Sequence, residues 1–148
     1  MHTVVVGCGR VGATLARTLA LGGRSVAVVD RDADAFRRLE GVEGIDTVVG
    51  WGFDRDDLEA AGVGRAAALA AVTSGDNSNI IAARIAREAY GVERVVARIY
   101  DPRRADVYSR LGIPTIATVR WSAEQVLRRA DVPVLIVRTS HDARRRAA

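Results

Sequence analysis

Three glycines near the amino terminus stand at a spacing that suits the binding of a pyrophosphate. The chain runs from the apolar residues 4–6 into the motif GCGRVG at residues 7–12, and a helical apolar pattern begins at once. In such a strand–turn–helix unit, the first glycine permits the turn, the second lets the backbone approach a phosphate, and the third lets the helix pack on the strand. The free N–H groups at the start of the helix also favour a bound anion. The motif therefore predicts a phosphate-binding turn, and the alternative is a glycine-rich turn that binds no ligand.

A carboxylate follows the second apolar run. Asp30 closes the residues 25–29, and dinucleotide-binding proteins carry an acid about 20 residues beyond the glycine turn. A carboxylate at this place accepts hydrogen bonds from both ribose hydroxyls of an adenosine, and it repels a 2′-phosphate. The sequence therefore favours NAD(H) or an adenine nucleotide over NADP, although the neighbouring Arg31 is an argument in the opposite direction.

The only cysteine, Cys8, lies inside the glycine turn. A single cysteine excludes an internal disulfide framework, which agrees with a reducing compartment. One interpretation is that Cys8 is a small side chain that fits the turn. The other is a redox-sensing thiol, because a helix N-terminus lowers the pKa of a thiol.

Composition describes an ordinary globular protein of one domain. The chain has 148 residues, of which 49% are hydrophobic and 27% charged, as is usual for such domains. Its apolar runs fall short of the roughly 20 residues that span a bilayer, so we expect no direct membrane insertion. The first residues lead straight into a predicted strand, so we expect no signal peptide. The net charge is +4, and all 22 basic residues are arginines, three of them in the tail at 144–146. This excess forms no continuous basic face, so we expect no nucleic-acid partner.

Strand and helix signals alternate along the chain. We predict strands near 3–6, 25–30, 46–50, 67–72, 93–99 and 113–117, and helices near 10–22, 32–40, 54–61, 76–90, 101–111 and 121–130. The strands are rich in β-branched residues, as expected where helices cover both faces of a sheet. The sequence thus predicts an α/β fold, a Rossmann-type doubly wound parallel sheet of six strands in the order 3-2-1-4-5-6, with helices on both faces.

Two more segments follow predicted strands at the edge of the sheet where such folds bind ligands. Gly50 and Trp51 come after the third strand, and the polar run 73–79 comes after the fourth. Trp51 either stacks on an adenine or packs beneath a loop. In the polar run, Asp76 or Asn77 either caps the following helix, or the residues 73–75 flank the ribose and phosphates.

The pattern changes after residue 130. A strand-like run at 134–137 follows, then a polar basic tail. This run either adds to a sheet edge, joins a partner, or begins a second domain. We therefore divide the chain into a nucleotide-binding domain at 1–130 and an extension at 131–148.

With these motifs placed, the chain resembles the RCK N-terminal domain, also called the TrkA-N or KTN module, over about residues 1–130. The resemblance rests on GCGRVG, on VVD at 28–30, and on the segments at 48–63, 70–88 and 95–102. It implies a cytosolic regulatory subunit that binds NAD(H) or ATP/ADP, assembles as homodimers or rings, and lies peripherally at the inner face of the cell membrane. The implied partner is a potassium-translocating membrane subunit, whose transport is gated by ligand-dependent changes in the shape of the assembly.

The resemblance also assigns roles to residues. The glycines of the turn would bind phosphates, Asp30 would hold the ribose, and Arg10 would lie near the phosphates, in some relatives those of a neighbouring subunit. Many relatives carry an acid where this chain has Trp51, and many carry a C-terminal ligand-binding domain. The candidate cofactor-binding residues are Gly7, Cys8, Gly9, Arg10, Val11, Gly12, Asp30, Arg31, Gly50, Trp51, Thr73, Ser74, Gly75 and Asp76.

The strongest alternative is a fragment of an NAD-dependent oxidoreductase. Hydride transfer needs a proton donor or acceptor beside the nicotinamide. The chain contains no lysine, and its two histidines, His2 and His141, are not placed at the predicted crevice. The spacing of these histidines and Cys8 does not suit a metal site. We therefore expect a ligand sensor rather than an enzyme, with the late helices at 101–111 and 121–130 making subunit contacts through Val107, Tyr108, Leu111, Trp121 and Leu127.

Overall fold

A computed structural model describes residues 1–130, and the predicted strand-like run and basic tail lie outside the described residues. In this part of the chain, six strands form one sheet, in which every pairing is parallel. The strands are β1 (His2–Val6), β2 (Ser25–Asp30), β3 (Ile45–Val49), β4 (Ala66–Ala71), β5 (Arg94–Ile99) and β6 (Thr115–Ala117).

The strand order β3-β2-β1-β4-β5-β6 confirms the predicted doubly wound topology. The order reverses between β1 and β4, whose register pairs Val5 with Ala70 and Val6 with Ala71. The chain therefore leaves adjacent strands in opposite directions at this point, which opens a crevice beyond their carboxyl ends.

Within the described residues, five α-helices connect and follow the strands: α1 (Arg10–Leu21), α2 (Arg55–Ala60), α3 (Asp76–Tyr90), α4 (Pro102–Arg110) and α5 (Thr118–Arg129). Two short 3₁₀ helices lie at Ala33–Leu39 and Val63–Arg65. Within residues 1–130, none of the helices combines the length and the apolar character needed to cross a membrane.

Alternate side chains of the central strands enter two separate cores. Val4 and Val6 pack with α2, α3 and α4 on one face of the sheet, where Leu58 and Ala83 are fully buried. Val5 points to the other face and packs with α1 and the first 3₁₀ helix. Because successive strand residues point to opposite faces, a continuous valine run builds both cores.

Two predicted helices differ from the structure. The segment predicted near 32–40 is a 3₁₀ helix, a geometry that suits short pieces, and it buries only Ala35 and Leu39 before the chain turns at Gly41 with φ +79°. The last helix begins at Thr118 rather than near 121. Thr118 and Val119 are β-branched and favour strand by propensity, yet they form the first turn of α5.

One part of the sheet is less covered than the rest. Ala70, Val96 and Ile116 lie on the same face as Val5, as the registers of β4, β5 and β6 show. These three residues are half-buried or exposed, whereas Leu69 and Ala97 on the opposite face are buried. Helix α5 contains no buried residue. The described residues thus leave apolar surface at this end of the molecule.

Candidate functional site

A cavity of about 450 Å³ opens at the carboxyl ends of the central strands. It lies where the strand order reverses, between the glycine turn after β1 and the loops after β2, β3 and β4. A cavity of this size falls within the range of small-ligand sites. Ten of the candidate residues line it: Gly7, Cys8, Gly9, Asp30, Arg31, Gly50, Trp51, Thr73, Ser74 and Gly75.

The glycine turn is specified sterically. Gly7 has φ +102°, and a Cβ on it would meet the backbone nitrogen of Thr73 at 2.9 Å. A Cβ on Gly12 would overlap the carbonyl oxygen of Gly7, so α1 can pack this closely only with glycine there. Gly9 is different, because a Cβ on it would meet no atom within 4 Å. Gly9 lines the cavity and its Cβ position is unoccupied, which agrees with the close approach of a phosphate.

Asp30 connects the two loops at one end of the cavity. Its Oδ2 accepts a hydrogen bond from the backbone N–H of Cys8 at 2.6 Å, and its Oδ1 accepts one from the N–H of Asp32 at 2.9 Å. These bonds orient the carboxylate next to the glycine turn. Each carboxylate oxygen can accept more than one hydrogen bond, so capacity remains for hydroxyl donors.

The loop after β4 is organised by a side chain that the sequence analysis did not select. Asn79 is fully buried, and its Oδ1 accepts from the N–H of Thr73 at 2.9 Å and from its hydroxyl at 2.7 Å. Its Nδ2 donates to the carbonyls of Thr73 and Arg98. The amide thus fixes Thr73 at the cavity wall. Its signal in the sequence is one polar position on the otherwise apolar face of α3.

Arg98 is the second functional candidate that sequence reasoning missed. It lies near the carboxyl end of β5, lines the cavity, and donates from Nη2 to the carbonyl of Thr73 at 2.9 Å. Its guanidinium lies 4.9 Å from the ring centroid of Tyr100, and its buried Nε has no hydrogen-bond partner among residues 1–130. The sequence signal for Arg98 is a charged residue inside an apolar strand, because arginines are almost never fully buried unless they are paired.

Helix α3 begins without the side-chain cap that the sequence suggested for its polar loop. Its N-cap is Gly75, and no side chain caps it. The carboxylate of Asp76 instead accepts from the N–H groups of Tyr100 and Asp101, at 2.8 Å and 3.1 Å, which joins the loops after β4 and β5. The expectation that Asp76 or Asn77 caps α3 is therefore wrong, because Asp76 is bound to another loop.

The cavity is suited to an anion. The N-caps of α1 and α3 are Gly9 and Gly75, which line the cavity and carry no side-chain acceptor. In the part of the chain that the structure describes, the first N–H groups of both helices have no capping side chain. Among its charged lining side chains, the arginines 31, 38 and 98 outnumber the aspartates 30 and 32. Phosphate groups would complement both features.

The thiol of Cys8 is not the activated thiol that a helix N-terminus suggested. Its side chain is completely buried, and Sγ donates to the carbonyl of Ala35 at 3.4 Å. Burial, reinforced by the negative charge of Asp30 and opposed by Arg38, raises its pKa from 9.0 to about 11. The redox-sensing interpretation is wrong, because this thiol stays protonated and inaccessible near neutral pH.

Four candidate residues lie outside the lining of the cavity. Arg10 and Val11 are exposed on the first turn of α1, Gly12 packs behind the turn, and Asp76 joins two loops. The exposed guanidinium of Arg10 forms no wall of the cavity, so any contact with phosphates stays a prediction.

The fold and the cavity define a Rossmann-type domain whose glycine turn lines a crevice at the carboxyl ends of the central strands. The chain belongs to the TrkA-N domain family, whose model matches residues 3–119. It is 64% identical over 129 residues to the Trk system potassium uptake protein TrkA of Streptomyces coelicolor, covering 87% of this chain and 58% of that relative's length.

Solved structures of other proteins share this fold. One is the Kef C-terminal domain of Shewanella denitrificans in AMP-bound form, with a TM-score of 0.75, 24% identity, and coverage of 98% of this chain and 87% of that chain. Another is the GsuK channel bound to NAD, with a TM-score of 0.64, 22% identity, and coverage of 78% of this chain and 21% of that chain.

Proposed function

We propose that this chain is the nucleotide-binding part of a regulatory subunit for potassium uptake. The observation that carries the proposal is the cavity itself, because one continuous space is lined by both the glycine turn and the carboxylate of Asp30. Those two features bind opposite parts of an adenosine phosphate, its phosphates and its ribose. The family and the potassium uptake protein of Streptomyces coelicolor supply the transport context.

The ligand we propose is NAD(H) or an adenine nucleotide such as ATP or ADP. The related structures carry AMP in one case and NAD in another, which supports a purine nucleotide without choosing one. The candidate site residues act as proposed above: the turn at 7–12 and the loop at 73–75 hold phosphates and ribose, and Asp30 accepts from the adenosine ribose.

The proposed mechanism is a shift between assembly shapes. Two nucleotides that compete for the cavity but differ in affinity for two shapes change the population of each shape. A coupling free energy of about 1–3 kcal/mol changes affinity roughly 5- to 150-fold, which suffices for regulation. We place the domain at 1–130 in the cytoplasm, as a homo-oligomer against a potassium-translocating membrane subunit, and the extension at 131–148 would lead toward a C-terminal domain.

We propose ligand binding without catalysis. Among the described residues, the cavity lining contains no histidine, lysine or tyrosine that could exchange a proton with a substrate. His2 is buried at the amino end of β1, where Nε2 lies 2.8 Å from the carbonyl oxygen of Ala61. That is the opposite end of the strand from the cavity. Turnover of NADH with any small carbonyl compound would favour the oxidoreductase alternative.

Calorimetric titration with NAD⁺, NADH, ATP, ADP and NADP⁺ tests this proposal. We expect at least one of the first four to bind, and a ligand at a hundred times its Kd to stabilise the fold by about 2.7 kcal/mol. For a domain of this size, that raises Tm by roughly 5–10 °C. Unchanged titration heats and an unchanged Tm with all of these nucleotides would contradict the proposal.

The variant Asp30→Asn tests the proposed contact between Asp30 and the ribose. Loss of a charged hydrogen bond to the ribose costs about 1.5–3 kcal/mol, so we expect affinity to fall roughly 10- to 150-fold. Asp46→Asn is the control, because Asp46 is an exposed carboxylate on the neighbouring strand and does not line the cavity. Equal Kd values for the two variants would remove Asp30 from the site.

A further inference from the structure

The backbone of Trp51 is fixed at the mouth of the cavity. Its N–H donates to Oδ2 of Asp57 at 2.7 Å, and its carbonyl accepts from the N–H of Asp54 at 2.9 Å. The flanking glycines are required for this path, since a Cβ on Gly50 would overlap the Asp57 carboxylate and one on Gly52 would overlap Val6. These contacts define the backbone position from which the loop presents the indole of Trp51.

The indole ring is available for stacking. Trp51 lines the cavity and remains 46% exposed. The ring of Phe53 lies 5.1 Å away, centroid to centroid, at 33° to it, and the guanidinium of Arg31 lies over the indole at 5.3 Å from its centroid. Arg31 is exposed and long, so its guanidinium can move aside or lie on a planar group that reaches the indole.

The lining residues next to Trp51 carry no side-chain hydrogen-bond acceptor: they are Arg31, Gly50, Gly52 and Phe53, and Asp57 is not part of the lining. The nearby carboxylates are each oriented by backbone N–H groups. Asp57 accepts from Trp51, Asp30 accepts from Cys8 and Asp32, and Asp32 accepts from Asp34. A site that selects adenine by hydrogen bonding needs an acceptor aimed at the exocyclic amine. Around Trp51, the described side chains offer aromatic and guanidinium surfaces instead.

We infer that Trp51 and Arg31 form a stacking slot for the base of the bound nucleotide, which accepts a purine by its flat face and does not select the exocyclic amine of adenine. The inference rests on the proposed function and adds the class of base. Stacking on an aromatic ring tolerates different bases because every base has a π-face. Hypoxanthine nucleotides should therefore bind as well as adenine nucleotides.

The direct test compares two pairs of ligands by calorimetry: NAD⁺ with nicotinamide hypoxanthine dinucleotide, and ATP with ITP. Each pair differs in the group at the purine 6-position, an amine in one member and a carbonyl in the other. We expect Kd values within about threefold inside whichever pair binds. A preference for the adenine member of tenfold or more would overturn the inference while leaving the proposed function intact.

Variants test the stacking partner. Trp51→Ala should weaken both members of a pair by the same factor, roughly tenfold, whereas Trp51→Phe keeps a flat ring and should stay within a few-fold. Tm measurements establish that both variants fold. Affinity that is unaltered in Trp51→Ala, or lost equally in Trp51→Phe and Trp51→Ala, would overturn the inference.

Fluorescence gives an independent readout. The chain has only two tryptophans, Trp51 and Trp121, and Trp121 lies on α5 outside the lining of the cavity. In a Trp121→Phe background, stacking of a base should quench the remaining emission with the calorimetric Kd. Binding detected by calorimetry without quenching would count against the slot. Absence of binding by every nucleotide would overturn this inference together with the proposed function.

Discussion

Asp30 has a structural role in addition to the one proposed for it in binding. Its two oxygens hold the N–H of Cys8 in the glycine turn and the N–H of Asp32 at the first 3₁₀ helix. Substitution by alanine would therefore disturb the turn as well as the ribose contact, and a change in affinity would have two causes. Asparagine keeps one oxygen acceptor and is the more informative replacement.

Cys8 provides a prediction about pH. Because the pKa of the buried thiol rises from 9.0 to about 11, the folded state disfavours the thiolate. The contribution of Cys8 to the free energy of unfolding is constant below about pH 9 and is lost as pH rises toward 11. We expect a loss of about 1–2 kcal/mol between about pH 8 and pH 10.5 in urea titrations.

Cys8→Ala is the control for this titration, since it removes the ionising group. The pH slope should be smaller in that variant. Equal slopes would show that other groups cause the loss. Reaction of native protein with a thiol reagent at neutral pH, at the rate seen in denaturant, would contradict the burial of the only cysteine.

At the scale of the elements, the turn between β1 and α1 contains one glycine that close packing requires and another that we propose for phosphate binding. Gly12→Ala places a Cβ against the carbonyl oxygen of Gly7, so we expect a strong loss of stability, on the order of 2–4 kcal/mol in urea titrations. Gly9→Ala introduces its Cβ into open space. It should retain nearly the native Tm and lose nucleotide affinity, because the Cβ stands where a phosphate would approach.

These two glycine variants check each other. They carry the same substitution within one turn, so a general effect of alanine on the chain cannot explain opposite results. If Gly9→Ala bound nucleotide normally, the phosphate would have to lie elsewhere. If Gly12→Ala were as stable as the parent, the close contact between α1 and β1 would be wrong.

The loop after β4 depends on Asn79. Replacing it with alanine leaves the N–H of Thr73 without its acceptor, and an unsatisfied buried donor costs about 1–3 kcal/mol. We expect a loss of at least that size in urea titrations. Asn77→Ala is the matched control, because Asn77 is exposed on the same turn of α3. Equal stability of the two variants would contradict the buried amide network.

The sequence predicted the elements better than the contacts inside the site. The valine runs and glycine breaks were sufficient for the strand order, because period and crossover rules act locally. Arg98 was missed because its partner Thr73 lies on another segment of the chain. Asn79 lies in the same polar run as Thr73, but its burial and its bond to the carbonyl of Arg98 depend on the folded sheet. For Cys8, the sequence left open a small side chain that fits the turn and a thiol with a lowered pKa. It could not choose between them, because burial depends on the packing of the whole turn.

At the scale of the whole molecule, the described residues expose apolar side chains at one end. Val107, Leu111, Trp121 and Leu127, predicted to contact another subunit, are all exposed, whereas Tyr108 is half-buried against the core. Val126 on α5 is 67% exposed. Apolar surface at late helices and at the open part of the sheet supports the proposed homo-oligomer.

Val126→Glu tests this surface. A charge placed in an apolar interface is costly, so we expect the molar mass from light scattering to fall toward that of a monomer. Leu21→Glu on α1 is the control, because Leu21 is 76% exposed on a different helix. A parent chain that is monomeric at all concentrations, or equal masses for both variants, would argue against α5 as the contact.

The hydrogen bonds of Asp30 have a consequence for the cost of recognition. Both hydrogen-bond donors to Asp30 are backbone N–H groups of the protein. The entropic cost of ordering this carboxylate and the turn beside it therefore belongs to folding and not to ligand binding. A ligand that binds there loses its own translational and rotational entropy, but binding does not have to order the carboxylate that accepts from the ribose. Such preorganisation lets the cavity reach useful affinity with few additional contacts.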